Sequence, residues 1–445
     1  MRLINTTTLE FHEFFDRDIP EYAILSHRWG SDEASFQDFE KGVQQSRGGF
    51  AKIEQCCNLA LKDCYEWAWI DTCCIDKKSS AELTEAINSM YNWYGRAKVC
   101  YVYLNDVAWE KGTSESLQAS MDGFRESSWF TRGWTLQELL APPSVSFLDQ
   151  NWQYIGTKDD LAREISEITG IDTQYFLPDA ENKIHEPCTK APDCRGHPPR
   201  YKYITSGKLE PSVATRMSWA SKRQISRIED MAYCLLGIFD VNMPLLYGEG
   251  PKAFLRLQYE IMKQTSDDSI FAWTADQEVT GVLAYWPSNF ASSRYVHEQA
   301  PLETRRRPYA MTNQGLHLPI TWRARGPKRG LRVMLDCGIC GPQGFKNIVL
   351  CFKPVIPELW FRVHTYQIET MEEGPWHNPL DPSKSNPIQD VRTSNHIKAR
   401  SVRKMEDPRT QADQLSELSE ITVMADWWYG EEPPGRIYDS LKNKT

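Results

Sequence analysis

The first third of the chain alternates short apolar runs with helix-period patterns. Tyr22-Ala23-Ile24-Leu25-Ser26 reads as a buried strand, and apolar residues at 50, 53, 57, 60 and 61 then fall on one face of a helix. Trp67-Ala68-Trp69-Ile70 is the next strand. Ser79 with Glu82 predicts a capping box for a helix that buries Leu83, Ile87, Met90 and Tyr94. Residues 98–104 and 144–148 read as two more strands, separated by a loop to about residue 128 and a short helix near 131–140 that Pro142-Pro143 stops. Repeated strand-helix alternation predicts an α/β fold, a mainly parallel sheet flanked by helices. Such sheets bind ligands beyond the carboxyl ends of their strands. That rule singles out Ser26-His27-Arg28-Trp29-Gly30, the stretch from Asp71 to Asp76, and the loop and helix leading to Glu138, and it expects the three to meet at one rim.

Further along, Thr157 and Asp160 cap a helix that runs to the Thr169-Gly170 stop. Residues 176–212, rich in Pro and charge, read as an insertion. Helices follow at about 226–238 and 250–265, joined through residues 242–250. From about 273, strand-like runs at 316–321, 331–335 and 347–351 sit among Gly and Pro turns, which predicts a β-rich region. The expected organisation is an α/β domain over 1–155, a helical extension over 156–272, and a β-rich C-terminal domain over 273–445.

Composition narrows the partners. A formal charge of −9 with no polybasic stripe gives nucleic acid no counterion-releasing surface. No run of 18 apolar residues is present, and the start turns acidic before any apolar signal segment forms, so the expected location is cytoplasmic with no membrane segment. Most of the twelve cysteines fall in apolar elements, as at Cys56-Cys57, Cys64, Cys73-Cys74, Cys100 and Cys234; in a reducing compartment they read as small buried hydrophobes.

Carboxylates just past strand ends are candidates for chemistry, because the scaffold fixes them where a ligand can reach. Asp71 directly follows an apolar strand; it either faces a polar crevice or is paired within its turn. Glu138 lies one helical turn after Trp134, on which a ligand ring could stack; the alternative is a Glu paired with Arg132 or Arg28 that closes the helix against the sheet. His27 and Arg28 suit either an anionic ligand or a structural pair.

Three stretches, Tyr22 to Gly30, Trp69 to Asp76 and Phe130 to Leu139, resemble in order the signature blocks of the fungal heterokaryon-incompatibility (HET) family. Residues 218–220, 227–239 and 243–250 resemble the helical segment that often follows that domain. The resemblance covers roughly residues 20–272. It implies a role in fungal non-self recognition and the cell death that follows, with self-association or another cell-death signalling protein as partner. HET domains are in turn distantly similar to TIR domains, some of which cleave NAD at the nicotinamide-ribose bond with a glutamate four residues after a Trp and just before a Leu. Trp134, Glu138 and Leu139 reproduce that spacing, while the serine usual two residues before the Trp is Arg132 here. On this reading Glu138 and Asp71 are the catalytic candidates, and Ser26, His27, Arg28, Trp29, Arg132 and Trp134 would bind the dinucleotide. NAD is then a substrate, and no cofactor is required. A non-enzymatic module acting by association is the alternative.

Two weaker signals lie outside these blocks. Cys337-Gly338-Ile339-Cys340 has redox spacing without the strand-then-helix context that lowers a thiol pKa, and Gly248-Glu249-Gly250 lacks the Lys of a phosphate loop. In the Pro-rich insertion, His185, Cys188, Cys194 and His197 form a mirrored set that is either an exposed loop or a tetrahedral structural zinc site. If it is a zinc site, chain purified without chelator carries about one zinc per molecule by metal analysis. A value near zero rejects the staple.

Overall fold

The chain opens with an antiparallel edge, β1 (Arg2–Asn5) and β2 (Phe11–Glu13). The structure, a computed structural model, describes residues 1–110, 112–176, 210–275, 281–298, 308–312, 315–319, 322–325, 331–341, 344–356, 359–363, 369–372 and 420–423. Strands β3 (Tyr22–His27), β4 (Trp67–Trp69), β5 (Val99–Tyr103) and β6 (Val145–Leu148) lie parallel in the order β4-β3-β5-β6. Strand β1 closes one side on β4 and β7 (Tyr154–Thr157) the other on β6, both antiparallel. The seven-stranded sheet is therefore parallel at its centre and antiparallel at its edges. All six residues of β3 are buried, as in a strand covered on both faces.

Among the described residues the α-helices are α1 (Phe36–Glu40), α2 (Phe50–Lys62), α3 (Ser80–Arg96), α4 (Ser114–Glu126), α5 (Thr135–Leu140), α6 (Ala162–Thr169), α7 (Val213–Ala220), α8 (Asp230–Tyr233) and α9 (Lys252–Gln264). The four expected strands are present to within a residue or so. On α2, Phe50, Ile53, Cys57 and Ala60 are buried as the period requires, whereas Leu61 is exposed and Cys56 takes its place in the core. On α3, Ser79 accepts from the Glu82 N–H, but the Glu82 carboxylate turns to Arg2 at 2.7 Å and to the Asp76 N–H instead of closing the box, and Leu83 is only half-buried. The Thr157–Asp160 side chains do make reciprocal hydrogen bonds, yet they close a turn at the end of β7, and α6 starts later, at Ala162.

The stretch read as a loop before residue 128 contains α4. Its period is faint because Ser120 and Phe124 are its only buried residues and Leu117 faces solvent. The expected helix at 226–238 is shorter, four residues of α8 followed by turns. Cys56, Cys57, Cys73, Cys74, Cys100 and Cys234 are free and buried, but Cys64 is exposed.

Two compact units are present. The first holds the seven-stranded sheet, helices α1 to α9 among the described residues, and residues 283–297. The second is built from strands: the hairpin Leu331–Gly341 with Gly344–Ile356, flanked antiparallel by Trp322–Arg325 and Leu359–Val363, with Glu420–Val423 pairing both Leu359–Val363 and Gly315–Pro319. The chain is thus a mixed α/β region followed by helical and β-rich segments. No helix among the described residues is long and apolar enough to cross a membrane.

The helical segment after residue 212 is fastened to α3. Asn88 exchanges hydrogen bonds with the backbone of Met243, and Gly237 approaches so closely that an added Cβ would sit 1.9 Å from Cβ of Tyr91. Gly237→Ala must therefore push α3 away and lower stability by about 2 kcal/mol or more. Gly123→Ala on α4, where a methyl meets nothing within 4 Å, gains up to about 1 kcal/mol of helix propensity. Thermal midpoints of the two variants should move in opposite directions, and a Gly237→Ala midpoint equal to wild type refutes the close contact.

Candidate functional site

The carboxyl end of β3 is where the three sequence blocks meet. Successive strand residues face opposite sides of a sheet, so Ser26 and His27 feed two different clusters. Ser26 Oγ donates to Glu138 Oε2 at 2.5 Å and accepts from Trp129 Nε1 at 2.8 Å. Helix α5, which carries Glu138, is pinned at both ends. Thr135 Oγ1 donates to the Trp129 carbonyl at 2.6 Å, and the buried Lys158 ammonium donates to the Pro142 carbonyl at 2.7 Å and the Leu139 carbonyl at 3.4 Å, satisfying carbonyls at the helix end. Tyr94 OH, donating to the Leu25 carbonyl at 3.1 Å, lies on the same side.

Glu138 is only 8% exposed. Burial pushes its carboxyl up to about 7, and the Ser26 hydrogen bond and the Arg132 charge only partly oppose that shift, while Asp71 adds to it. Glu138 is therefore neither fully charged nor fully neutral near neutral pH, a property found both at catalytic acids and at buried structural carboxyls.

The second cluster surrounds His27. Its Nδ1 lies 3.9 Å from Asp71 Oδ1 and its Nε2 3.8 Å from Glu33 Oε2, too far for hydrogen bonds, and both buried ring nitrogens lack a partner. Burial works against the Glu33 carboxylate, but His27, Lys52 and the Gly30 N–H hold it down at about 2. Asp71 is paired: Trp29 Nε1 donates to its Oδ2 at 2.7 Å. The Lys77 ammonium stands 3.4 Å over the Trp29 ring, and burial lowers its pKa against the opposing pull of Asp71 and Glu33. Trp29 is 45% exposed and fixed from two sides.

Of the residues singled out from sequence, Ser26, His27, Trp29, Asp71, Arg132 and Glu138 come together at this rim. Arg132 does not bind Glu138 directly; its Nη1 donates to the His27 carbonyl at 3.1 Å. Arg28 is exposed and donates to Ser128 Oγ at 2.8 Å, and Ser128 is held in turn by Asp106. Trp134 points its N–H at Asp230 Oδ2, 3.2 Å away on α8, so it is committed to the helical extension. The indole that meets the Ser26–Glu138 pair is Trp129, five residues earlier on a separate 3₁₀ turn and unmarked by the sequence pattern. Glu33, Lys52, Lys77 and Tyr94 were also missed. Glu33 follows Gly30 at turn spacing, but Lys52, Lys77 and Tyr94 lie on helices or loops whose approach to the rim no local pattern encodes. Residues His185, Cys188, Cys194 and His197 lie outside the described residues. Among the described residues no cluster of three or more His, Cys, Asp or Glu could hold a metal.

Residues 22–122 match the family described as heterokaryon incompatibility protein (HET), a span that holds the first two sequence blocks and ends before the third. Residues 252–311 match a domain of unknown function, DUF8212. The chain is 43% identical over 257 residues to the vegetative incompatibility protein HET-E-1 of Podospora anserina. That alignment covers 57% of this chain and 17% of the relative. No solved structure matches. Residues 22–122 are thus similar to a HET domain, and just over half of the chain is similar to a small part of a fungal vegetative-incompatibility protein.

The Glu138 environment fixes a pH dependence. Its folded pKa of about 7 lies above the ordinary 4.5, so the stability it contributes is complete below about 4.5 and is lost as pH rises through 7. The difference is on the order of 3 kcal/mol. Glu138→Gln keeps an acceptor for Ser26 and cannot ionise, so the melting temperature of the variant relative to wild type should rise between pH 5 and pH 8. A flat difference across that range would show that the carboxyl is not held neutral inside the fold.

Proposed function

We propose that this chain is a cell-death effector of fungal vegetative incompatibility, and that its HET unit signals by association with another copy or with a second cell-death protein. The HET match and the relative's printed role support the incompatibility reading. The observation that favours association over chemistry is the seating of Glu138. Its carboxyl is 8% exposed and already accepts from Ser26, which is itself bound by Trp129, so a ligand would have to displace a buried hydrogen bond to reach it.

A second reading has one specific observation behind it. Glu138 is held near neutrality at the rim of a parallel sheet, four residues after Trp134 and just before Leu139, which is the spacing of the NAD-cleaving glutamate in TIR-like enzymes. Cleavage of an N-glycosidic bond passes through an oxocarbenium-like ribose that a fixed carboxylate stabilises, and nicotinamide leaves as a neutral ring without acid assistance. Arg28 or Arg132 would hold the pyrophosphate. Asp71, bound by Trp29, would orient that side of the rim.

One experiment separates the two. Purified wild type and Glu138→Gln are incubated with NAD across a range of protein concentrations while nicotinamide release is followed, and both forms are expressed in a fungal host scored for cell death. Association predicts no release from either form and killing by both. Catalysis predicts release by wild type that falls about 10² to 10³-fold in a folded Glu138→Gln, with killing lost in parallel.

A further inference from the structure

Lys77 lies in the segment between β4 and α3, and its ammonium stands 3.4 Å over the Trp29 ring. Among the described residues no oxygen accepts from it in a hydrogen bond or an ion pair, whereas Lys52 at the same rim is paired with Glu33. An indole face attracts a cation but offers no lone pair, so the three N–H donors are left to water. The side chain is half-buried, yet its Nζ is not sealed. The polar atoms of this rim that lack both a partner and solvent, His27 Nδ1 and Nε2 and Thr72 Oγ1, do not include it. The amine is therefore open to a small reagent beside Trp29, itself 45% exposed.

Burial lowers the Lys77 pKa, against the opposing pull of Asp71, of the buried thiols Cys73 and Cys74, and of Glu33 on the loop after β3. His27 lies between Asp71 and Glu33, 3.9 and 3.8 Å from their nearest oxygens. A lysine whose neutral form is favoured carries a free lone pair at a pH where ordinary lysines are almost wholly protonated, and it is the lone pair that attacks a carbonyl carbon. Lys41, Lys62 and Lys78 provide the contrast, since all three are exposed.

We propose that Lys77 is a site of Nζ acylation that takes a small uncharged acyl group from a thioester donor. The neutral amine attacks the acyl carbonyl carbon, the N–C bond forms, the C–S bond breaks, and the departing thiolate takes up the proton that the amine gives up. The product is an amide without charge, which relieves the cost of holding a half-buried cation. A dicarboxylic acyl group would instead bring a new negative charge toward Asp71 and Glu33, whose fields already reach Nζ. Acylation removes the cation over Trp29, the residue whose N–H binds Asp71 at 2.7 Å, so it acts on the charged half of the rim. The site stands apart from the Glu138 readings, since the readout is a covalent mark made without NAD.

The test exposes the full chain to a limiting amount of S-acetyl-N-acetylcysteamine and, in a parallel arm, to the succinyl thioester of the same thiol. Acylation rates at individual lysines are read by fragment-ion mass spectrometry from pH 7 to pH 11. At pH 7 Lys77 should take acetyl at least about threefold faster than Lys41, Lys62 and Lys78, and the margin should close above about pH 10.4, where an ordinary lysine is itself largely neutral. The margin at pH 7 should shrink with the succinyl donor. Acetylation of Lys77 at pH 7 no faster than that of the exposed lysines, or a margin that stays constant up to pH 11, overturns the proposal; an equal margin with succinyl overturns the preference for an uncharged acyl group.

Discussion

The hydrogen bond from Ser26 to Glu138 is the contact on which the arrangement of the first unit depends. It spans 112 residues and joins the central strand to a helix of six residues, too short to hold its place by propensity alone. Leaving either partner of a buried pair unsatisfied costs about 1–3 kcal/mol, more than such a helix gains from its own backbone bonds. Trp129 donates to the serine oxygen, Thr135 holds the helix start and Lys158 the helix end, so α5 has essentially one seat. Once it is seated, the Arg132 guanidinium comes to the His27 carbonyl, and the His27 cluster acquires its boundary on that side.

Two clusters of opposite character therefore sit on adjacent residues of one strand. Around Ser26 the groups are buried and share a carboxyl near its midpoint, a setting that favours neutrality. Around His27 the groups are polar and charged: Glu33 is held ionised by His27 and Lys52, and Asp71 accepts from the Trp29 N–H, with Lys77 close to the same ring. Alternation of side chains along a strand keeps these environments apart over a single residue step. Asp71 is felt in both, since its charge also raises the Glu138 pKa.

What the sequence could reveal follows from how local each signal is. The four parallel strands were legible because burial on both faces leaves near-continuous apolar runs, as at Tyr22 to Leu25. The edge strands β1, β2 and β7 were not, since three or four residues with one face in solvent carry no run to detect. Convergence of Ser26, Asp71 and Glu138 was legible from strand-end position. Spacing of i,i+4 from Glu138 points to Trp134 by a rule for regular helix, whereas Trp134 stands at the N-cap of α5 with its N–H directed at Asp230. Trp129 reaches the site from a separate 3₁₀ turn, whose direction depends on Asp106 holding Ser127 and Ser128.

The HET match ends at residue 122, but the physical unit does not. Strand β6, which covers the open edge of β5, comes later in the chain, as do Trp129, Glu138 and Lys158. A segment cut at 122 would leave Ser26 without its acceptor and β5 with an unpaired edge, the condition that invites pairing between chains. The extension after residue 212 is bound just as firmly: Gln224 pairs with the backbone on either side of Arg132, Arg223 caps Arg132 and Thr135, Asp230 holds Trp134, and Met243 is locked to Asn88 on α3. Five of these hydrogen bonds fall on residues 131–135, directly ahead of Glu138. The extension is therefore part of the mechanical support of α5, and a displacement of residues 220–243 cannot leave the Ser26–Glu138 pair undisturbed, because no slack separates the residues it grips from the helix that carries the carboxyl.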